Sequence, residues 1–495
     1  MNAITEIINL MNIEDSKAFM VHLRKKNTRD DAKNTKLFKL LETDDINSLN
    51  NLYTGNNNND AYHALRKRLY DNLVLFMANR TFTNTTGEAH EVLRLLVVSR
   101  LFLEHQLTKT AFKCLAKAEL KALALEHFSL LNEIYHTQIQ YAHLNPAVDL
   151  NILIDKFTAN THKMHREQQL NLGYALLRRE LAEIQLKGKV IDFREFIMGT
   201  MSKLGVSLND VLTYKSLYQI LFIANEYATL NSNYTLVEPF VQKSYAFISS
   251  KANPDNSQLY YHIYILYFMA NIHFRNRRFS DSEMYLQKMM EQMVLQNKRY
   301  YQRFSLRYFL LTALNKNFSG DAVTAIAVAE KTLKDAPKKS DPLDENDLRA
   351  CIAMFLVQQN NPAALKYMAQ FTHTDSWYEK KLGMIWTIRK NLLEILMHIG
   401  LENTELALSR LKSFKRRYKK YLAEVNETRV MNYALLVERY ILKPEIAAQS
   451  AFKQGILALL DTDARQDIFI VSFLGWLLSK AEKKPVYEVT LMLMK

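Results

Sequence analysis

Apolar positions along this chain recur at intervals of three and four, the period of a helix with one buried face. Between 60 and 80, Tyr62, Leu65, Leu69, Leu73 and Phe76 share one stripe, and Arg66, Lys67 and Arg68 fall elsewhere. The stretch 88–104 repeats the pattern with Val92, Leu95 or Leu96, Ser99 and Leu103. Glu167–Lys187 is rich in Leu, Ala, Arg and Glu, all strong helix formers. No stretch alternates convincingly with period two. Helices are also predicted near 2–10, 15–25, 33–42 and 45–53, and loops at 54–60, 81–87, 249–257 and 336–346.

The second half carries an internal repeat. A small residue followed by apolar residues four and seven positions on occurs as Ser282, Leu286, Met289, then as Ala322, Ile326, Ala329. It returns as Ala364, Met368, Phe371 and as Ala407, Leu411, Phe414, with a weaker set at Ala447 and Ala451. The small residues are spaced by 40, 42, 43 and 40 positions. Another helical pattern precedes each of the first four sets, at 261–276, 301–315, 347–359 and 386–399. Each block therefore reads as a helix hairpin whose small residue allows close approach. Such a hairpin cannot bury its apolar face alone, and stacking on its neighbours solves that.

The segment with Leu266, Ala270, His273, Phe279, Ser282, Leu286 and Met289 resembles the tetratricopeptide repeat family in its spacing of small and aromatic positions. The later blocks match less completely: the period is longer than the family's, its tryptophan is missing, and most blocks lack its terminal proline. The resemblance covers 260–455, and 88–142 reads as an earlier pair of hairpins centred on Ala111. It implies an all-α, tetratricopeptide-like α-solenoid of stacked antiparallel hairpins with an N-terminal helical cap. The expected division is an N-terminal module at 1–82, a first set of hairpins at 83–250, and repeats with C-terminal capping helices at 251–495. The family's first helices line a groove for extended peptides. The positions this implies here are Asn271, Arg275 and Arg307, where an amide and cations grip a carboxylate.

Composition supports this picture. Of 495 residues only 11 are Gly and 8 are Pro, too few for a fold of many tight β-turns or for a Gly-rich phosphate loop. Gly320, Pro362, Gly400 and Pro444 sit at the predicted hairpin joints. The two cysteines, Cys114 and Cys351, are too far apart in sequence for a CxxC site, and read as buried thiols in a reducing compartment. The start lacks a basic segment followed by an apolar one, and the run 468–478 is about half the length of a membrane span. The expected location is the cytoplasm, without membrane insertion.

The net charge is +14, and the stretch 251–340 alone contributes +7, an attraction for acidic partners. Lys412, Lys415, Arg416, Arg417, Lys419 and Lys420 form a basic patch opposite the stripe of Leu411, Phe414, Tyr418 and Tyr421. It reads first as a solvated face and second as a surface for phosphates or an acidic protein. The segments 45–53 and 60–80 imitate a helix-turn-helix exposing His63, Arg66 and Lys67, but 60–80 is too apolar for a free recognition helix. His162 and His165 lack the glutamate and third ligand of a zinc hydrolase. No catalytic motif, cofactor or metal is expected. The predicted function is a non-enzymatic scaffold that binds a protein or peptide. The alternative is a nucleic-acid-binding regulator whose repeats dimerise or take an effector; the oligomeric state stays open.

Overall fold

The computed structural model describes every residue except 1–2, 12, 27–32, 44–58, 85–87, 188–192, 206–212, 231–233, 235–236, 251–257, 338–339, 426, 461–466 and 495. The predicted helix at 45–53 and most of the loop at 54–60 lie outside the described residues. Among those described the protein is all-α, a succession of packed helices in two compact units, Met1–Leu153 and Ile154–Lys495.

The first unit contains α1 (Ala3–Leu10), α2 (Ile13–Lys26), α3 (Lys33–Glu42), α4 (Asn59–Asn84), α5 (Glu88–Glu104), α6 (Thr108–Ala124) and α7 (Phe128–Gln140). The stripe predicted on α4 is its buried face: Leu65, Leu69, Leu73 and Phe76 pack with Phe19, Leu23, Leu37 and Phe38 from α2 and α3. His63 and Lys67 are exposed, and Arg66 lies over the Tyr62 ring. Ala111, Ala118 and Ala122 are buried where α6 packs on α5.

Helix α8 (Leu150–Lys187) starts in the first unit and is far longer than the predicted 167–187 segment. The second unit continues with α9 (Phe193–Leu204), α10 (Tyr214–Leu230), α11 (Glu238–Ser250), α12 (Leu259–Arg275), α13 (Phe279–Met293), the short α14 (Leu295–Lys298), α15 (Tyr301–Phe318) and α16 (Ala322–Lys334). It ends with α17 (Pro342–Gln358), α18 (Ala364–Met368), α19 (Asp375–Leu382), α20 (Met384–Gly400), α21 (Thr404–Glu424), α22 (Thr428–Leu442), α23 (Ser450–Leu457), α24 (Ile468–Glu482) and α25 (Val486–Met494). Packing is sequential and pairwise: α12 with α13, α15 with α16, α17 with α18, and α20 with α21. The first helices of these pairs also meet in order, α10 on α12, α12 on α15, α15 on α17 and α17 on α20. This is consistent with a helical repeat. No described helix is long and apolar enough to cross a membrane.

The hairpin joints share one chemistry. Gln106, Glu126, Arg277, Gly320, Asn360 and Glu402 all take positive φ just past a helix end. The next residue's N–H reaches back five positions, as in Arg278 to the His273 carbonyl (2.9 Å), Asp321 to Lys316 (2.8 Å) and Asn403 to His398 (2.9 Å). This is the Schellman closure, which satisfies orphan carbonyls at a helix C-terminus. Arg278, Asp321 and Asn403 are also the N-caps of the next helix. The scarcity of glycine therefore did not mean a scarcity of tight turns, because only Gly320 of the six joints is glycine. Gly400, predicted to close its helix, is the last residue of α20, and Glu402 takes the left-handed turn.

The repeat register shifts in one block. Ser282, Ala325 and Ala407 each donate their backbone N–H to the N-cap carbonyl four residues earlier (3.0–3.1 Å), so they are structurally equivalent. The predicted Ala322 lies one turn too early. Ser282 shows the packing logic: its hydroxyl donates to the Ala270 carbonyl on α12 (2.8 Å) and accepts from Asn315 Nδ2 on α15 (3.0 Å). Ala447 falls in a 3-10 turn, Pro444–Ala448, rather than in an α-helix. The predicted loop 336–346 ends at Asp341, which accepts from the Leu343 N–H (3.0 Å) and starts α17 with Pro342 in its first turn. Helix α4 likewise runs through Asn84 into the predicted 81–87 loop.

Glycine is needed at one close approach. A Cβ on Gly475 of α24 would lie 2.8 Å from Thr490 Oγ1 and 3.2 Å from the Thr490 Cα on α25. Backbone must then move, so Gly475→Ala is expected to destabilise by about 1–3 kcal/mol. Equal urea midpoints for wild type and variant would refute that close approach.

Candidate functional site

Helices α12, α15, α17, α20 and α24 of the second unit enclose a cavity of about 230 Å³. Their sequences place one face of each toward it. Tyr267, Asn271 and Arg275 follow at four-residue spacing on α12. Leu310, Leu311 and Leu314 come from α15, and Leu343, Asp347, Ala350, Cys351 and Met354 from α17. Trp386, Arg389, Lys390 and Leu393 come from α20, and Phe469 and Phe473 from α24.

Most of the charges are already paired. Arg389 is bound to Asp467, which also caps α24 by accepting from the Phe469 and Ile470 N–H groups (2.8 and 3.3 Å). Lys390 lies 3.4 Å from Asp375 and 3.2 Å from Glu394. Burial pushes the Asp347 carboxyl up to about 7, against the Trp386 Nε1–H that donates to it at 2.7 Å; Asp344 adds to the rise, and Arg307 and Arg389 oppose it. Burial also raises Tyr267 to about 12. The buried Cys351 thiol is pushed well up, chiefly by burial and then by Asp347, so it is no activated nucleophile.

Two of the three groove residues expected from sequence line this cavity. Asn271 donates its Nδ2 to Asn225 Oδ1 on α10 at 2.9 Å. Arg275 stacks over Tyr234 at 5.4 Å, and its Nε is buried with no hydrogen-bond partner. Arg307 stands beside the lining: its Nε donates to both Asp344 carboxylate oxygens (2.9 and 3.0 Å), and its NH1 donates to the Tyr264 hydroxyl (2.6 Å). Sequence reasoning missed Asp347, Trp386, Arg389, Lys390 and Phe469. The available signal was polar or aromatic residues on the first-helix faces that should otherwise be wholly apolar.

The basic patch on α21 is only partly free. Lys415 is held by both Glu438 oxygens at 2.6 Å, and Arg417 by Glu379 at 2.7 and 2.8 Å and by Ser376. Lys420 lies 3.8 Å from Glu424. Lys412, Arg416 and Lys419 are exposed, on one side of the helix. His162 and His165 are exposed on α8. No protein-family model matches the chain, and no curated protein matches it either.

Proposed function

We propose that the protein is a non-enzymatic binding scaffold, a tetratricopeptide-like α-solenoid whose first helices hold an extended protein or peptide segment. The observation that carries this reading is the convergence of five helices on one cavity, with Asn271 and Arg275 together in its lining. Aromatic and aliphatic walls with a few placed polar groups are the ordinary make-up of a ligand site. The activated Cys, Ser or Lys that covalent chemistry would use is not what this cavity offers, since its one thiol is held protonated by burial.

The test compares two surfaces of the full chain. A partner recovered by affinity capture is expected to bind at least tenfold more weakly to Asn271→Ala combined with Leu343→Glu. The same partner should bind Lys412→Glu, Arg416→Glu, Lys419→Glu as it binds wild type. The reverse pattern, together with retention on heparin that is lost steeply with salt, would overturn the proposal in favour of nucleic-acid binding.

A further inference from the structure

We infer that the cavity seats the C-terminal residue of a peptide, its α-carboxylate on Arg275 and its apolar side chain against Trp386 and Phe469. The inference rests on the binding-groove reading and names the chemistry that the groove recognises. The three neighbouring cations each have an acidic partner: Arg307 has Asp344, Arg389 has Asp467, and Lys390 has Asp375 and Glu394. Arg275 forms no ion pair among the described residues, and Asp467, which favours its charge from nearby, is bound to Arg389. A guanidinium removed from water without an anion is costly, and a ligand carboxylate offsets that cost through charge-assisted hydrogen bonds.

The remaining features narrow the ligand. Sites that enclose drug-sized molecules run to about 300–1,000 Å³; this cavity, at about 230 Å³, takes one end of a ligand. Asp347 and Asp467 in and beside the lining oppose a dianionic phosphate and favour a single negative charge. An internal Asp or Glu carries its carboxylate without an apolar group and needs two exits for the chain. A C-terminal residue carries both groups on one carbon and needs one exit. Asn271, one turn from Arg275, keeps its Oδ1 as an acceptor for the N–H of that residue.

The experiment uses the full chain and random pentapeptides ending in Leu, Phe or Met, prepared once as free acids and once as C-terminal amides. Native mass spectrometry reads the bound mass, and a thermal melt checks that each protein is folded. Free-acid peptides are expected to bind at least tenfold more tightly than amides. Arg275→Gln should remove that preference, and Arg275→Lys should restore part of it. The acid-against-amide comparison is made on wild type, so it stands even if Arg275 variants fold poorly. Equal binding of acid and amide, or an undiminished acid preference in folded Arg275→Gln, overturns the carboxylate assignment and leaves the groove reading in place. Binding of free leucine or phenylalanine without any peptide overturns the peptide source. No binding from either library overturns the inference, and the capture experiment then decides the broader reading on its own.

Discussion

Asp347→Asn is expected to stabilise the protein at pH 8 by about 2–4 kcal/mol and to leave it unchanged near pH 4. The carboxyl titrates near 7 in the folded chain against an ordinary value of 3.8, because it is recessed among Cys351, Trp386 and apolar neighbours. Between those values the folded state holds a proton that the unfolded state has released. Stability therefore falls as pH rises through this window, and the loss is complete above about 7. Three units would amount to ~4 kcal/mol at 1.36 kcal/mol per unit, and residual solvent contact reduces that. Asparagine cannot ionise, yet its oxygen still accepts from the Trp386 indole N–H. Urea titrations of both proteins at pH 4, 6 and 8 measure the difference. Coincident curves at pH 8 would show that Asp347 is not held in its neutral form.

Asp467→Ala has the opposite sign and a similar size, an expected loss of about 3 kcal/mol at pH 7. Asp467 is buried, and burial alone would raise its pKa. Arg389, Arg275 and the N–H groups of Phe469 and Ile470 outweigh burial and hold the carboxyl below its usual range. Its contribution is present above the ordinary carboxylate range and is lost as pH falls through the lowered folded value. The substitution removes the α24 cap, worth about 1 kcal/mol, and strips Arg389 of its anion. Breaking a buried pair from one side costs about 3–5 kcal/mol, and the partial exposure of Arg389 lowers that share. Calorimetric melts at pH 7 and pH 3 test both claims: the gap between wild type and variant should narrow at the acid end. A variant as stable as wild type at pH 7 would mean that the cap and the pair are dispensable.

Several features of the fold were legible because they depend on local periodicity. The stripe on α4, the face of Tyr267, Asn271 and Arg275 on α12, and the solvated side of α21 follow from where side chains fall on a helix. The 40-residue rhythm was legible for the same reason, through the small residues that permit close helix packing. The error at Ala322 shows the limit of that signal. Ala322, Ala325 and Ala329 are all small residues near one face of α16, and only the joint at Gly320 and Asp321 sets which of them packs as Ser282 does.

The turns were misjudged for a different reason. Composition counts glycines, but a left-handed residue costs little enough that Gln106, Glu126, Arg277, Asn360 and Glu402 accept it when a Schellman closure compensates. The ion pairs that consume Lys415 and Arg417 join α21 to α22 and α19, and sequence spacing does not report contacts across helices.

What the sequence determined by itself was the helical class, the hairpin period and the faces to be buried, since these need only neighbours within a turn or two along the chain. Tertiary structure alone decided the chemistry of the cavity. It brought Arg275, Asp347, Trp386 and Phe469 together from four helices. Burial there holds Asp347 near neutral pH, and the pairing of every neighbouring cation leaves Arg275 without an anion. Burial and pairing are set by residues far apart in sequence, and so no local pattern records them.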